Sequence, residues 1–343
     1  AGHGGVGDRP ARDDGGRGHP PEFWWYSDED LATGLDLMKE SGVDTIRILI
    51  PPWFLVEPED DVWTWDRTDR LVYGARDRGI KVLAVLNHPP EWAVTPGTDP
   101  LVGSPPADPA EYAEYVGMVA TRYKGEVGGA YEIWNEPNGQ MFWQPKPNAA
   151  DYTKLLQAAY PVIKEIDPDA VVIAGSIGAI LDEGDWATDS VRFLKEMYEA
   201  GAAGYFDALS YHPYHYTTPF STGAWLQGSP INQLDEMRAL MTAHGDGNKK
   251  KIWATEYGQP ASVESEVNQA YYIADFLQAW RDLDYAGPAF IHTIRDLPPE
   301  IENPVEESLG LWRWDWSRKL ALGVVETIIE ENKERLNQPP SEL

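Results

Sequence analysis

From about residue 28 to the C-terminal end, short apolar runs rich in β-branched and aromatic residues alternate with longer amphipathic stretches. A strand buried on both faces reads as a short continuous apolar run, whereas a helix covering a sheet repeats its apolar positions every three to four residues. Strand–helix–strand order dictates a parallel sheet, because neighbouring strands that run the same way need a crossover between them. Seven strand candidates stand at 45–50, 81–87, 130–134, 171–174, 208–211, 251–255 and 289–295. Helix candidates lie at 28–41, 68–78, 109–123, 150–166, 189–200, 231–244, 264–283 and 318–335. Eight helices require one more strand, expected before Asp28, either near 4–7 or within 22–26. Eight βα units in this length close into a single-domain (β/α)8 TIM barrel. A doubly wound open sheet shares the rhythm, but it carries a Gly-rich phosphate turn, and neither GxGxxG in a strand-to-helix turn nor GxxxxGK[ST] is present. Residues 1–21, rich in Gly, Asp and Arg, read as a flexible or irregular leader, 22–337 as the barrel and 338–343 as a tail.

Composition narrows the function classes. With 42% hydrophobic and 24% charged residues the chain is of ordinary globular type. Lys and Arg number 28 against 56 Asp and Glu, a net charge of -28 that repels phosphate backbones and anionic lipid, so neither nucleic acid nor membrane is expected as a partner. There is no Cys, which excludes disulfide scaffolds, thiol catalysis and thiolate metal sites. The longest apolar stretches fall short of a membrane span, and the chain starts AGHGGVGDRP, so it reads as a mature or trimmed soluble chain. Aromatic usage is skewed, with 15 Trp and 17 Tyr against 8 Phe. Trp and Tyr offer a flat apolar face with a polar edge, the kind of surface on which sugar rings stack.

In a parallel barrel the chemistry sits at the C-terminal ends of the strands. Polar residues are concentrated there: Arg47 in IRILIPPW, Asn87 and His88 in AVLNHPPEW, Asn135 and Glu136 in YEIWNEPN, His212 and Tyr214 in LSYHPYHY, Glu256 in IWATEYG, and Arg295 and Asp296 in IHTIRD. Glu136 and Glu256 follow what would be the fourth and seventh of eight strands, facing each other across the barrel mouth. Paired carboxylates suit glycosidic bond cleavage: one protonates the departing oxygen while the other attacks or stabilises an oxocarbenium-like carbon. A gap of about 5 to 5.5 Å gives retention, and roughly 6.5 to 9.5 Å gives inversion.

YEIWNEPN and IWATEYG resemble the acid/base and nucleophile signatures of clan A retaining glycoside hydrolases. The surrounding text is most similar to glycoside hydrolase family 39 and its bacterial relatives, with family 5 next. The likeness runs from about Asp28 to Arg335 through DTIRILIPPWFLVEPEDDVWTWDRTDRLV, LNHPPEWA, FWQPKPNAADYTKLLQAAYPVIKEIDPDA and GYFDALSYHPY. The resemblance implies a barrel that is the catalytic domain, Glu136 as general acid/base, Glu256 as nucleophile, Asn135 bonded to the sugar hydroxyl beside the reacting carbon, and Arg47 and Tyr214 holding Glu256. It implies a β-linked glycan as substrate, within a range that spans xylosides, uronides and bacterial exopolysaccharides. Neither cofactor nor metal is required, and the substrate class suggests a secreted enzyme. The chain departs from the pattern at its indistinct first strand, at Ser317-Arg318-Lys319-Leu320-Ala321 where relatives usually have Lys-Pro-Ala, and at His292 and Thr293 where an aromatic is common.

Other residues admit plainer readings. Glu132, two positions before Asn135's neighbour Trp134, reads as a structural carboxylate inside the barrel. His212, Pro213, Tyr214 and His215 suggest a metal only if a third ligand is in register, and neither HExxH nor a His-x-His strand pair is present. His88 lines the substrate site or the core; His292 is expected in the core. Trp65 and Trp280 belong with helices and the core, while Trp53, Trp92, Trp143, Trp225, Trp312 and Trp314 are candidates for sugar-stacking platforms around an open, chain-cleaving cleft. The competing functions are an exo-acting β-xylosidase-like enzyme, a non-catalytic carbohydrate-binding barrel and a metal-dependent hydrolase.

Overall fold

The computed structural model describes residues 23–98, 103–126 and 129–338. Its strands are β1 (Thr45–Leu49), β2 (Lys81–Leu86), β3 (Ala130–Ile133), β4 (Val171–Gly178), β5 (Ala208–His212), β6 (Ile252–Tyr257) and β7 (Ala286–Ile291). Between and around them run α1 (Asp28–Glu40), α2 (Trp53–Val56), α3 (Asp66–Asp77), α4 (Pro109–Tyr123), α5 (Ala149–Ile166), α6 (Ser190–Glu199), α7 (Pro230–Ala243), α8 (Glu266–Arg281), α9 (Pro304–Glu307) and α10 (Leu320–Asn337). The strands pair in chain order and in parallel, β1 through β7, which is the barrel that the βα rhythm predicts. All seven strand candidates are strands. The expected eighth differs: Phe23–Trp25 forms a turn of 3-10 helix, which overturns a strand within 22–26, and the alternative near 4–7 lies outside the described residues. Counted along the described chain, Glu136 therefore follows the third strand and Glu256 lies in the sixth.

Local signals start the helices where expected. Ser27 accepts a hydrogen bond from the Asp30 amide, and Asp28, Glu29 and Asp30 crowd the positive end of α1. Asp108 caps α4 and Ser229 caps α7, each followed by Pro, whose missing N–H is no loss in a first turn. The helices pack around the outside, and their apolar faces meet the outward-pointing residues of the sheet in one continuous core. Inside the barrel, Leu83, Ala130, Ile173 and Ala208 form a separate apolar plug with Trp253 and Phe290 against it. Further along the strands toward their C-terminal ends lie Arg47 of β1, Glu132 of β3, Ser210 and His212 of β5 and Thr255 of β6, so a polar layer rests on a dry floor.

Three of the proposed sugar platforms belong to the core instead. Trp53 is fully buried, stacked on Tyr115 at 5.1 Å, with its indole N–H donating to Glu57 Oε2 at 2.6 Å. Trp143 is buried edge-on between Trp134 and Tyr152, and Trp312 is buried against Trp316. Each loop folds back over its own strand end, and a large aromatic is what fills the space beneath it. Trp92 is part-buried, its N–H on the Glu57 carbonyl, and Trp314 lies flat against the Arg295 guanidinium at 3.8 Å. Among the described side chains the exposed indoles are Trp186 and Trp225, at 67% and 75%. Trp53→Ala should thus cost about 3–5 kcal/mol of stability in urea unfolding, the usual range for a buried Trp, while Trp225→Ala should stay within about 0.5 kcal/mol. Equal midpoints for the two variants would contradict this division.

Candidate active site

Arg47 is the hub of the polar layer. Its Nε and Nη2 donate to Glu132 Oε1 at 2.8 and 2.5 Å, its Nη1 donates to Glu256 Oε1 at 2.6 Å, and Nη2 reaches Asn135 Oδ1 at 2.8 Å and Ser176 Oγ at 3.1 Å. The Tyr214 hydroxyl donates to the other oxygen of Glu256 at 2.8 Å. Both oxygens of Glu256 are thus held, one by a donor from β1 and the other by a donor from the segment after β5. Burial opposes ionisation of Glu256, but the charges of His212, Arg47 and His292 and the Tyr214 bond outweigh it and hold the carboxyl down to about 2. Glu132 is fully buried and serves the guanidinium, as its placement on β3 suggested.

Glu136 stands across from Glu256, 4% exposed, with Oε2 buried and without a hydrogen-bond partner. His212 lies between them. Its Nε2 meets Thr255 Oγ1 at 2.8 Å and Ser176 Oγ at 3.3 Å, and its Nδ1 is 3.7 Å from Glu136 Oε2 and 3.8 Å from Glu256 Oε2. One atom from each of Glu136, His212 and Glu256 falls within 4.8 Å of the others. Two carboxylates and an imidazole so placed are also a donor set that a metal ion accepts, which supplies the third ligand that sequence spacing did not show.

The backbone at the strand ends is strained to make this convergence. His88, Trp134, Glu136 and Ser176 all have positive φ, at 60°, 70°, 42° and 48°. Such conformations cost non-glycine residues of the order of 1 kcal/mol or more each and persist only where packing fixes them. Here the fixings are visible: Trp134 is fully buried with its N–H on the Phe142 carbonyl at 2.7 Å, and the Glu136 amide donates to the Ser176 carbonyl at 3.0 Å. Asn138 ties the segment to β4, accepting from the Gly178 amide at 2.9 Å and donating to the Gly178 carbonyl at 3.0 Å.

Sequence reasoning brought Arg47, Asn135, Glu136, His212, Tyr214 and Glu256 together, and the structure places all six in this one cluster. His88 stands apart, part-buried and stacked on Phe54 at 6.4 Å, and burial pushes its imidazole down to about 4. His292 is part-exposed rather than core-buried, just past the end of β7, and its charge acts on Glu256. Ser176, Thr255, Tyr216 and Glu306 were missed. Ser176 sits where the β4 register shifts, so no strand periodicity points it inward. Glu306 lies in α9, one acid among several in a long loop, which leaves no sequence signal. It is 4% exposed, its Oε1 and the Tyr216 hydroxyl are buried without partners, and both residues feel the charges of Glu136 and Glu256.

With the geometry in place, comparison with known proteins gives the class and then the family. The architecture and the facing carboxylates are those of a barrel of the glycoside hydrolase kind. Residues 11–287 match the model of the family described as cellulase (glycosyl hydrolase family 5), and the chain belongs to that family. A β-xylosidase of Geobacillus stearothermophilus is 29% identical over 99 residues, which are 27% of this chain and 19% of that protein. Endoglucanase A of Butyrivibrio fibrisolvens is 28% identical over 153 residues, 41% of this chain and 30% of that protein. The chain therefore spans less than a third of either relative. A family 39 glycoside hydrolase from Bacteroides cellulosilyticus superposes with a TM-score of 0.72 at 22% identity, covering 92% of this chain and 62% of that one, a likeness of fold.

Two outcomes test the cluster. A Cβ at Gly178 would lie 2.6 Å from Glu136 Oε1, the free end of a flexible side chain, so Gly178→Ala should displace that carboxylate without unfolding the barrel. If Glu136 takes part in the reaction, a displacement of about 1 Å would cost about 10²-fold in rate, and stability should change by less than about 1 kcal/mol. Wild-type turnover in this variant would refute the placement of Glu136. Burial pushes the Glu306 carboxyl up to about 7, with the charges of Glu256 and Glu136 acting in the same direction. A raised carboxyl stabilises the fold below its ordinary value of 4.5 and loses that contribution as pH rises to about 7. The Tm of Glu306→Gln relative to wild type should therefore rise between about pH 4.5 and 7 and level off above; a pH-independent difference would show that Glu306 titrates normally.

Proposed function

We propose that the chain is a retaining glycoside hydrolase acting on β-linked bonds of a poly- or oligosaccharide by double displacement, with Glu256 as nucleophile and Glu136 as acid/base. One observation carries the reading: an oxygen of each carboxylate lies within 4.8 Å of the other, the short spacing that leaves no room for a water between reacting carbon and base. In the first step Glu136 gives its proton to the departing glycosidic oxygen while Glu256 attacks the anomeric carbon, forming a glycosyl ester. In the second, Glu136 takes a proton from water, which attacks the same carbon and releases Glu256. Arg47 and Tyr214 keep Glu256 ionised and fix its orientation. The side-chain oxygen of Asn135 is engaged by Arg47, which turns its NH2 group toward a sugar hydroxyl. No cofactor enters these steps.

The exo-acting, β-xylosidase-like reading gains from the burial of both carboxylates, at 4% and 5% exposure, and from the loss of Trp53, Trp143 and Trp312 as outer platforms. Release of monosaccharide alone from a long glycan, with no shortening of the chain population, would favour it over chain cleavage. A metal-dependent reading rests on the Glu136–His212–Glu256 donor set. A polymeric substrate would place the enzyme outside the cell, which fractionation of the source organism tests.

Glu136→Gln and Glu256→Gln should each lose about 10²-fold or more in turnover and remain folded. On an aryl glycoside with a good leaving group, azide should restore turnover to Glu136→Ala but not to Glu256→Ala. NMR of the first-formed product should show retained configuration, and activity should survive a chelator. Inversion would sink the double displacement, and loss of activity in the chelator would install the metal-dependent reading in its place.

A further inference from the structure

Four exposed large apolar side chains, Met141, Leu181, Trp186 and Trp225, lie on the three successive loops that follow β3, β4 and β5, at the same end of the barrel as the facing carboxylates. Trp186 was not among the aromatics expected to bind sugar. A Trp usually buries about 150–250 Å² of its surface in a fold, and Trp186, 67% exposed, forgoes most of that. Among the described residues its indole has no ring contact and no hydrogen-bond partner. The backbone beneath it is fixed all the same. Glu183 and Ala187 face each other in an antiparallel bridge, the Trp186 amide donates to the Glu183 carbonyl at 2.9 Å, and Gly184 turns the chain with a φ of 54°. An indole presented on a closed turn needs little ordering before it can bind.

This turn is bonded to the segment that carries Glu136. Gly139 bridges Ala187, the Gln140 amide donates to the Trp186 carbonyl at 2.8 Å, and the Thr188 amide donates to the Asn138 carbonyl at 2.9 Å while Asn138 Nδ2 returns a bond to the Thr188 carbonyl at 3.1 Å. The Gly139 amide folds back on the Glu136 carbonyl at 3.1 Å, so one tight turn separates Glu136 from the residues bonded to Trp186. Further round the mouth, Leu181 lies against Gly228 and joins this rim to the loop that bears Trp225. In glycoside cleavage the departing oxygen must come within hydrogen-bond reach of the acid, which puts the leaving sugar on the acid's side of the mouth. With Glu136 as the acid, that side is the rim of Trp186.

We propose that Trp186 is a stacking platform for the leaving-group part of a neutral β-linked glycan, past the bond that is cut. The placement rests on the assignment of Glu136 as acid/base. Charge selects the kind of chain. Trp186 sits beside Asp182, Glu183 and Asp185, all exposed. Asp182 pairs with Arg192 at 2.5 Å and Asp185 stands 3.8 Å from Lys146, whereas Glu183 has no ion-pair partner among the described residues. Carboxylates in such a rim accept hydrogen bonds from sugar hydroxyls and repel the carboxylates of uronic acids. The platform serves chain cleavage and end trimming alike, since in both the leaving group is the remaining chain.

Trp186→Ala and Trp186→Phe are compared with wild type on β-1,4-xylohexaose and cellohexaose and on the matching β-glycosyl fluorides, whose leaving group is a single atom. For the hexasaccharide that is cleaved, the ratio of its kcat/KM to that of the fluoride should fall about three- to tenfold in Trp186→Ala, with the loss in KM, and Trp186→Phe should recover most of it. An unchanged ratio in Trp186→Ala would overturn the platform and leave the hydrolase reading standing. Affinity electrophoresis needs no turnover: gels containing hydroxyethylcellulose or unsubstituted soluble β-1,4-xylan should retard wild type more than Trp186→Ala, and the carboxylate-bearing counterparts, carboxymethylcellulose and glucuronoxylan, should retard it less. Equal retardation by the neutral and anionic chains would overturn the choice of a neutral glycan. Retardation that depends on Trp186 in a chain that cleaves no glycoside would sink the catalytic reading and keep the platform, whereas neither retardation nor hexasaccharide cleavage would overturn the platform outright.

Discussion

A single guanidinium organises the barrel mouth. Arg47 projects from β1 into an interior closed below by an apolar plug, where an unpaired charge would be far costlier than in water. It is stable there because Glu132 from β3 and Glu256 from β6 bring two carboxylates to it and because Asn135 and Ser176 also accept from its Nη2. The same bonds run in reverse: Arg47 helps hold the buried Glu256 carboxyl below its ordinary range. The cluster ties β1 to β3 and β6 across the barrel, and a fork with fixed geometry does this where a flexible ammonium would not. Positions of the facing groups then follow from the ion cluster.

That arrangement separates the electrostatic settings of the two central acids. Glu256 receives donors on both oxygens and is held far down its titration range. Glu136 has one buried oxygen, Oε2, with no hydrogen-bond partner among the described residues, and His212 Nδ1 lies 3.7 Å from it. Strained residues at 88, 134, 136 and 176 are the local cost of this convergence, and the buried Trp134 and the Asn138 bridge to Gly178 are what hold the strain in place.

Most of the architecture was legible in the chain because its cause is local. A run such as Val82–Leu86 is apolar throughout since β2 is covered on both faces there, and the alternation with helices follows from short-range periodicity and from caps such as Ser27, Asp108 and Ser229. The polar residues just after the runs were legible for the same reason, since the strand ends of a parallel barrel converge. Legibility failed where the outcome depends on a distant element. Trp53, Trp143 and Trp312 look alike in sequence to Trp186 and Trp225, yet the first three are roofed by Tyr115, Tyr152 and Trp316 and the last two face solvent.

The order of strands and helices and the positions of the two facing glutamates were determined by the sequence itself, through apolar periodicity and the strand-end location of polar residues. Only the tertiary structure decided the spacing of the carboxylates, the insertion of His212 between them, and the presence of Glu306 and Tyr216 at the same mouth, contributed by a loop after β7 and the segment after β5. Whether a side chain is ionised, stacked or roofed depends on what a remote segment places against it, and that information enters only when the sheet curls into a barrel and brings β1 toward β7.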